Sequence, residues 1–196
     1  MTLPNQLTIL RIILSPIFLF FFLSDVIWMK QVSVLIYIVA ALSDWYDGWL
    51  ARKFNYITSW GKFWDPLADK ILTSVAFIGF AIVQLIPWWM VIIIVGRDVL
   101  ITLLRVFADM KNLAFTTSYY AKWKTLLQMV FLYYLLILYV AQFTPQIYQS
   151  YEGVISSMLD EQLIFFIALT ITIITFHSGI HYVNRNRNIL KKLLTN

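Results

Sequence analysis

Apolar positions run through this chain in blocks of about twenty residues, and polar residues are largely confined to the seams between them. A helix needs ~20 mostly apolar residues to cross the hydrocarbon core of a bilayer. Six blocks qualify, at about residues 7–29, 32–50, 66–86, 87–108, 120–141 and 163–183. The seams are short, and no repeat or low-complexity linker separates them. The pattern predicts an all-α integral membrane protein of six transmembrane helices, with residues 1–196 forming a single domain.

Composition strengthens this. With 61% hydrophobic residues, 13% charged residues and a mean hydropathy of +0.76, the chain lies far outside the range of soluble domains. Lys and Arg placement sets the orientation. With a cytoplasmic N-terminus, Arg11, Arg52, Lys53, Lys62, Lys70, Arg97, Arg105, Lys111, Lys122, Lys124, Arg185, Arg187, Lys191 and Lys192 all fall on or toward the inner side, leaving Lys30 outside. The segment 142–162 reads as an external loop, with Glu152, Asp160 and Glu161 and no basic residue. Both termini are then cytoplasmic, in the cell membrane. No basic region precedes the first block and no small-residue cleavage site follows it, so it reads as a retained span. Trp28, Trp88 and Trp89 fall where interfacial belts are expected. Cysteine is absent, which excludes disulfides and thiolate metal sites. The net charge of +5 has no soluble basic domain to carry nucleic acid; anionic lipid and phosphorylated substrates suit it better.

Four of the ten acidic residues stand between positions 44 and 69, beside segments apolar enough to lie in lipid. An ionised side chain there costs at least a few kcal/mol, so it marks a functional site by default. On a helix Asp44 and Asp47 share a face at i and i+3, and Asp65 and Asp69 do so at i and i+4. Two such pairs facing each other repel unless cations lie between them, and hard divalent ions, Mg²⁺ or Mn²⁺, suit carboxylate oxygens. Four carboxylates have the capacity for two ions, the arrangement that clamps attacking and leaving oxygens in phosphoryl displacement. Arg52 adds a forked donor for phosphate, and Gly48 and Gly61 permit close backbone approach. The plainer alternative is four unrelated capping or snorkelling aspartates. Asp65-Pro66 reads locally as a helix N-cap followed by proline at the first helical position.

The pattern Asp-x2-Asp-Gly-x2-Ala-Arg-x8-Gly-x3-Asp-x3-Asp, complete from Asp44 to Asp69, resembles the signature of the CDP-alcohol phosphotransferase family. The resemblance implies a metal-dependent transferase of phospholipid biosynthesis, and the orientation set by Lys and Arg puts its active site toward the cytoplasm. It implies Asp44, Asp47, Asp65 and Asp69 as ligands of two divalent ions, and Asp69 as general base as well. The opening Asn5-x2-Thr8-x2-Arg11 is similar to the family's, whose first residues approach the nucleotide diphosphate; from spacing alone it reads as a helix start with an interfacial arginine. A hydroxyl residue at the place of Thr58 contacts the donor in the family. Asn5, Thr8, Gly48, Arg52 and Thr58 are therefore the expected contacts for CDP-diacylglycerol.

The acceptor side is expected at Arg97, Arg105, Lys122 and Lys124. Arg97 and Arg105, eight apart, lie on roughly one helical face, and an arginine in mid-span usually faces a partner or a wet cavity. A contact between Arg97 and Asp98 is the structural alternative, weakened because adjacent helical residues point apart; Lys122 and Lys124 alone would be positive-inside residues. Fixed cations hold the phosphate of a phosphorylated alcohol, whereas choline, ethanolamine or serine would gain nothing from them. Gly96-Arg97-Asp98 and Lys122-x-Lys124-Thr125 are similar to the branch of the family that takes glycerol 3-phosphate, with Ala121 where that branch has glycine. The resemblance also implies a homodimer. Other acceptors, inositol phosphate or phosphatidylglycerol as in a cardiolipin synthase, are the rivals within the family. A divalent-cation transporter is the rival outside it, though transport gives no reason for Arg52 beside the carboxylates. His177 and His181, at i and i+4, have the spacing of a zinc pair, but with no third ligand nearby interfacial hydrogen bonding is the expectation.

Overall fold

The computed structural model describes residues 3–54, 59–111, 113, 115, 119–187 and 189–190, leaving the side chains of several helical residues in the first two stretches outside the description. Among the described residues there are seven helices and no strand: α1 (Leu3–Phe22), α2 (Ile27–Phe54), α3 (Ser59–Ile82), α4 (Trp88–Met110), α5 (Tyr119–Gln142), α6 (Pro145–Met158) and α7 (Glu161–Arg185). The protein is an all-helical membrane protein. Taken singly, α1, α2, α5 and α7 are long and apolar enough to cross a bilayer. α3 and α4 have the length, at 24 and 23 residues, but carry Asp65, Asp69 and Lys70, and Arg97, Asp98 and Arg105.

Three expectations need correction. The first apolar block is not one helix to residue 29: α1 stops at Phe22, and Met29 belongs to α2. Ser24 explains the break, because its hydroxyl accepts from the Val26 backbone N–H and so offers the chain a turn in place of helix. Asp65-Pro66 is not a helix start, since α3 begins at Ser59 and Pro66 lies inside it. The proline costs one backbone hydrogen bond, which neighbouring groups in a bundle can compensate. Segment 142–162 is not a loop, because Pro145 at a helix N-terminus, pre-set in φ, opens the short helix α6. Asp160 then caps α7, accepting from the Leu163 N–H at 2.9 Å.

α1 packs on α2 and α3, α3 on α4, α4 on α7, and α5 on α2, α6 and α7. Lipid is as apolar as the core, so close packing rather than exclusion of water holds such helices together. Small residues make it possible: Ala40, Ala68 and Ala76 are fully buried, and a Cβ on Gly79 would come within 3.1 Å of the Phe22 ring. Phe18, Phe22, Tyr37, Phe77, Phe80 and Tyr139 interlock in edge-on and tilted pairs, each contributing about 0.5–1.5 kcal/mol beyond buried area. The aromatic block fills the end of the bundle near the α1–α2 turn. The charges gather at the other end, where the start of α1 meets the last turns of α2 and the first turns of α3.

Candidate functional site

Helix α1 reaches both carboxylate-bearing helices through residues one turn apart. The Thr8 hydroxyl donates to Asp65 Oδ1 at 2.5 Å, and Arg11 Nη1 lies 2.6 Å from Asp44 Oδ1. Both α1 residues are fully buried, and Asn5, one turn earlier, is buried too. Spacing alone makes Arg11 an interfacial arginine; the structure instead places it against Asp44, a partner 33 positions away that local spacing does not reveal.

Asp65 and Asp69 lie within electrostatic reach of Asp44, and Asp44 and Asp69 keep part of their side chains exposed. Asp47, Gly48 and Arg52 occupy helical positions of α2, but their side chains lie outside the described residues, as does Thr58 altogether. Among the described residues no three carboxylate or histidine side chains form a metal-holding group. The chemistry of the donors nevertheless suits a hard divalent ion: Asp44 of α2 and Asp69 of α3 offer part-exposed carboxylate oxygens, and Asp44 has drawn a buried guanidinium.

A second site adjoins the first. A cavity of about 890 Å³ is walled by Lys70 of α3, Arg97, Thr102 and Arg105 of α4, Lys122 and Thr125 of α5, and Tyr182 of α7. Three of the four expected acceptor residues therefore share one cavity. The fourth, Lys124, lies beneath it: fully buried, it donates to Asp98 Oδ1 at 2.5 Å and to Gln128 Oε1. Asp98 also takes Arg97 Nη1 at 3.1 Å, so the contact between neighbours that helical geometry argued against does form. The arginine is long enough to fold back along its own helix. Gly179 helps to seat it, since a Cβ there would meet Arg97 Cγ at 3.1 Å.

The cavity wall holds orphaned donors. Among the described residues, Arg97 Nε and Nη2 and the Tyr182 hydroxyl are buried without a hydrogen-bond partner. Orphaned buried donors cost about 1–3 kcal/mol each, and several on one cavity ask for a ligand rich in acceptor oxygens. Lys70, Tyr182 and Gly179 were not picked out from the sequence. Lys70 has a signal in the sequence, since it directly follows Asp69; Tyr182, in an apolar helix, has none. His177 meets the Tyr120 hydroxyl at 3.3 Å, the interfacial hydrogen bond expected of it.

Comparison with known proteins gives the family. The profile of the CDP-alcohol phosphatidyltransferase family matches residues 1–176. A protein of Salmonella paratyphi A named CDP-diacylglycerol–glycerol-3-phosphate 3-phosphatidyltransferase is 33% identical over 192 residues, covering 95% of this chain and 96% of the relative. The protein of the same name from Escherichia coli K12 is 34% identical over 175 residues, covering 87% and 88%. This chain belongs to the CDP-alcohol phosphatidyltransferase family.

Proposed function

We propose that this enzyme transfers the phosphatidyl group of CDP-diacylglycerol to glycerol 3-phosphate, giving phosphatidylglycerophosphate and CMP. The observation that carries the choice of acceptor is the cavity walled by Lys70, Arg97, Arg105 and Lys122, next to the aspartates. Cations in a partly desolvated wall favour a dianionic acceptor and give no advantage to a neutral alcohol.

The acceptor hydroxyl attacks the phosphorus that carries diacylglycerol. The new O–P bond forms as the bond from that phosphorus to the oxygen bridging to cytidylate breaks, and CMP leaves with the electron pair. Asp69 receives the hydroxyl proton, a role that requires hydrogen-bond reach and for which its partly exposed carboxylate is available. The family depends in general on divalent metal; two ions, Mg²⁺ or Mn²⁺, held by Asp44, Asp47, Asp65 and Asp69, would neutralise the diphosphate and the charge developing on it. Asn5, Thr8, Gly48, Arg52 and Thr58 line the donor side, with Thr8 already hydrogen-bonded to Asp65. Lys124 supports the acceptor wall from below through Asp98. The whole chain acts as one catalytic domain with six spans, both termini and the active site on the cytoplasmic side, and assembles as a homodimer.

The test is a panel of acceptors offered to purified protein with labelled CDP-diacylglycerol and Mg²⁺ or Mn²⁺. CMP release should require glycerol 3-phosphate; equal or faster release with inositol phosphate or phosphatidylglycerol would reassign the acceptor. Metal flux into proteoliposomes without any nucleotide would favour a transporter instead.

A further inference from the structure

Two polar sites lie side by side, and among the described residues Lys70 is the side chain common to both. It lines the cationic cavity, its Nζ is 3.6 Å from Asp69 Oδ2, and the same nitrogen is 4.0 Å from Asp98 Oδ2. Consecutive residues on a helix point about 100° apart, so α3 can turn Asp69 to the aspartate cluster and Lys70 to α4. One helix thus serves both sites at adjacent positions.

Both separations exceed the ~2.7–2.9 Å of a charge-assisted hydrogen bond. The ammonium is held between two carboxylates without closing on either, and among the described residues Asp98 Oδ2 has no hydrogen-bond donor of its own. The side chain is only 17% exposed, so water supplies little of its solvation. Around the cavity, Arg97 Nε and Nη2 and the Tyr182 hydroxyl have no hydrogen-bond partner among the described residues. An oxyanion entering the cavity would meet these donors and the Lys70 ammonium.

We propose that Lys70 contacts the acceptor: its ammonium takes an oxygen of the acceptor phosphate where the cavity meets the aspartates, and thereby sets the acceptor hydroxyl against Asp69. This rests on the reading of the chain as a transferase to a phosphorylated alcohol. A phosphate oxygen sits ~2.7–2.9 Å from such a cation, and the hydroxyl must come within ~2.6–3.2 Å of the base. With Lys70 and Asp69 so close, one short molecule bearing both groups satisfies both conditions. Lys70 therefore acts on orientation as well as on affinity.

The experiment compares purified parent, Lys70→Met and Lys70→Arg in steady-state CMP release. Lys70→Met should raise the KM for glycerol 3-phosphate at least tenfold and lower kcat, with the donor KM within twofold; Lys70→Arg should recover at least tenfold of the lost kcat/KM. An acceptor KM within twofold of the parent, or an equal rise for both substrates, overturns the proposal. A second measurement uses the parent alone: acetylation of Lys70 by acetic anhydride, followed by mass spectrometry, should slow at least fivefold with glycerol 3-phosphate and not with glycerol. An unchanged rate overturns the proposal whatever the variants do. A parent that releases no CMP with glycerol 3-phosphate defeats the functional reading itself, whereas an active parent with an indifferent Lys70 defeats only this inference.

Discussion

Lys30 and Lys124 are both buried lysines, at opposite ends of the bundle, and the fold answers them differently. Lys30 donates to the Tyr139 hydroxyl at 3.2 Å and stands 4.1 Å over the Phe143 ring, while Gln31 beside it donates to the Thr144 hydroxyl. The polar groups of that corner meet one another within the protein. Lys124 is answered by Asp98 and Gln128, but one layer outward Arg97 and Tyr182 keep unpaired donors around a cavity. A fold leaves buried donors unanswered where something else is to answer them. By that criterion the Lys30 corner is structure, and the cavity end is a binding site supported from below by a neutralised layer.

The largest way to break this contrast is to remove the proposed base. Asp69→Asn should lower turnover at least a thousandfold without altering the helical content of the purified protein; turnover within tenfold of the parent would remove Asp69 from that role. Chelation with EDTA should abolish CMP release equally completely, with recovery on adding Mg²⁺ or Mn²⁺. Neither treatment bears on the Lys30 corner. Substitution there should leave kcat unchanged.

The supporting layer gives the next effect. Asp98→Ala strips the shared carboxylate from Lys124 and Arg97, with Lys70 4.0 Å from its other oxygen. Leaving buried charge uncompensated costs about 3–5 kcal/mol, so the variant should lose that much stability in detergent and much of its acceptor affinity. The double variant Asp98→Leu with Lys124→Met, which removes both charges, should regain more than half of the stability. If the single variant melts like the parent, the layer is not what holds the cavity.

Sequence carried some of this contrast and missed the rest for physical reasons. Apolar length and the separation of charges made the helices legible, and fixed spacing singled out Asp44, Asp47, Asp65 and Asp69, of which Asp65 and Asp69 lie within electrostatic reach of Asp44. Spacing of eight also brought Arg97 and Arg105 to a common cavity. Spacing does not show which helix lies opposite. Arg11 needed Asp44 beside it and Lys124 needed Asp98, both partners fixed by packing across helices. Lys70 looked like one more inward-facing cation because its two neighbours belong to different sites. The α1–α2 break at Ser24 and the helix α6 turned on single hydrogen-bonding or φ-restricted residues within an apolar or acidic stretch, to which composition is blind.

The smallest test applies one chemical change to both ends. Tyr139 and Tyr182 are each buried tyrosines; the first hydroxyl accepts from Lys30, and the second has no hydrogen-bond partner among the described residues. Tyr139→Phe removes an answered hydroxyl and orphans an ammonium donor, so it should cost about 1–3 kcal/mol of stability while both KM values stay within twofold of the parent. Tyr182→Phe removes an unanswered hydroxyl, which is neutral or slightly stabilising for the empty protein. If that hydroxyl serves the ligand, the variant should instead raise the glycerol 3-phosphate KM about three- to tenfold, the loss expected of one hydrogen bond at about 0.5–1.5 kcal/mol. Melting temperature and acceptor KM, measured on both variants, should move in opposite places. A Tyr182 variant that melts lower with its KM unchanged would make that tyrosine as structural as Tyr139, and the distinction between the two ends would have to rest on the charges alone.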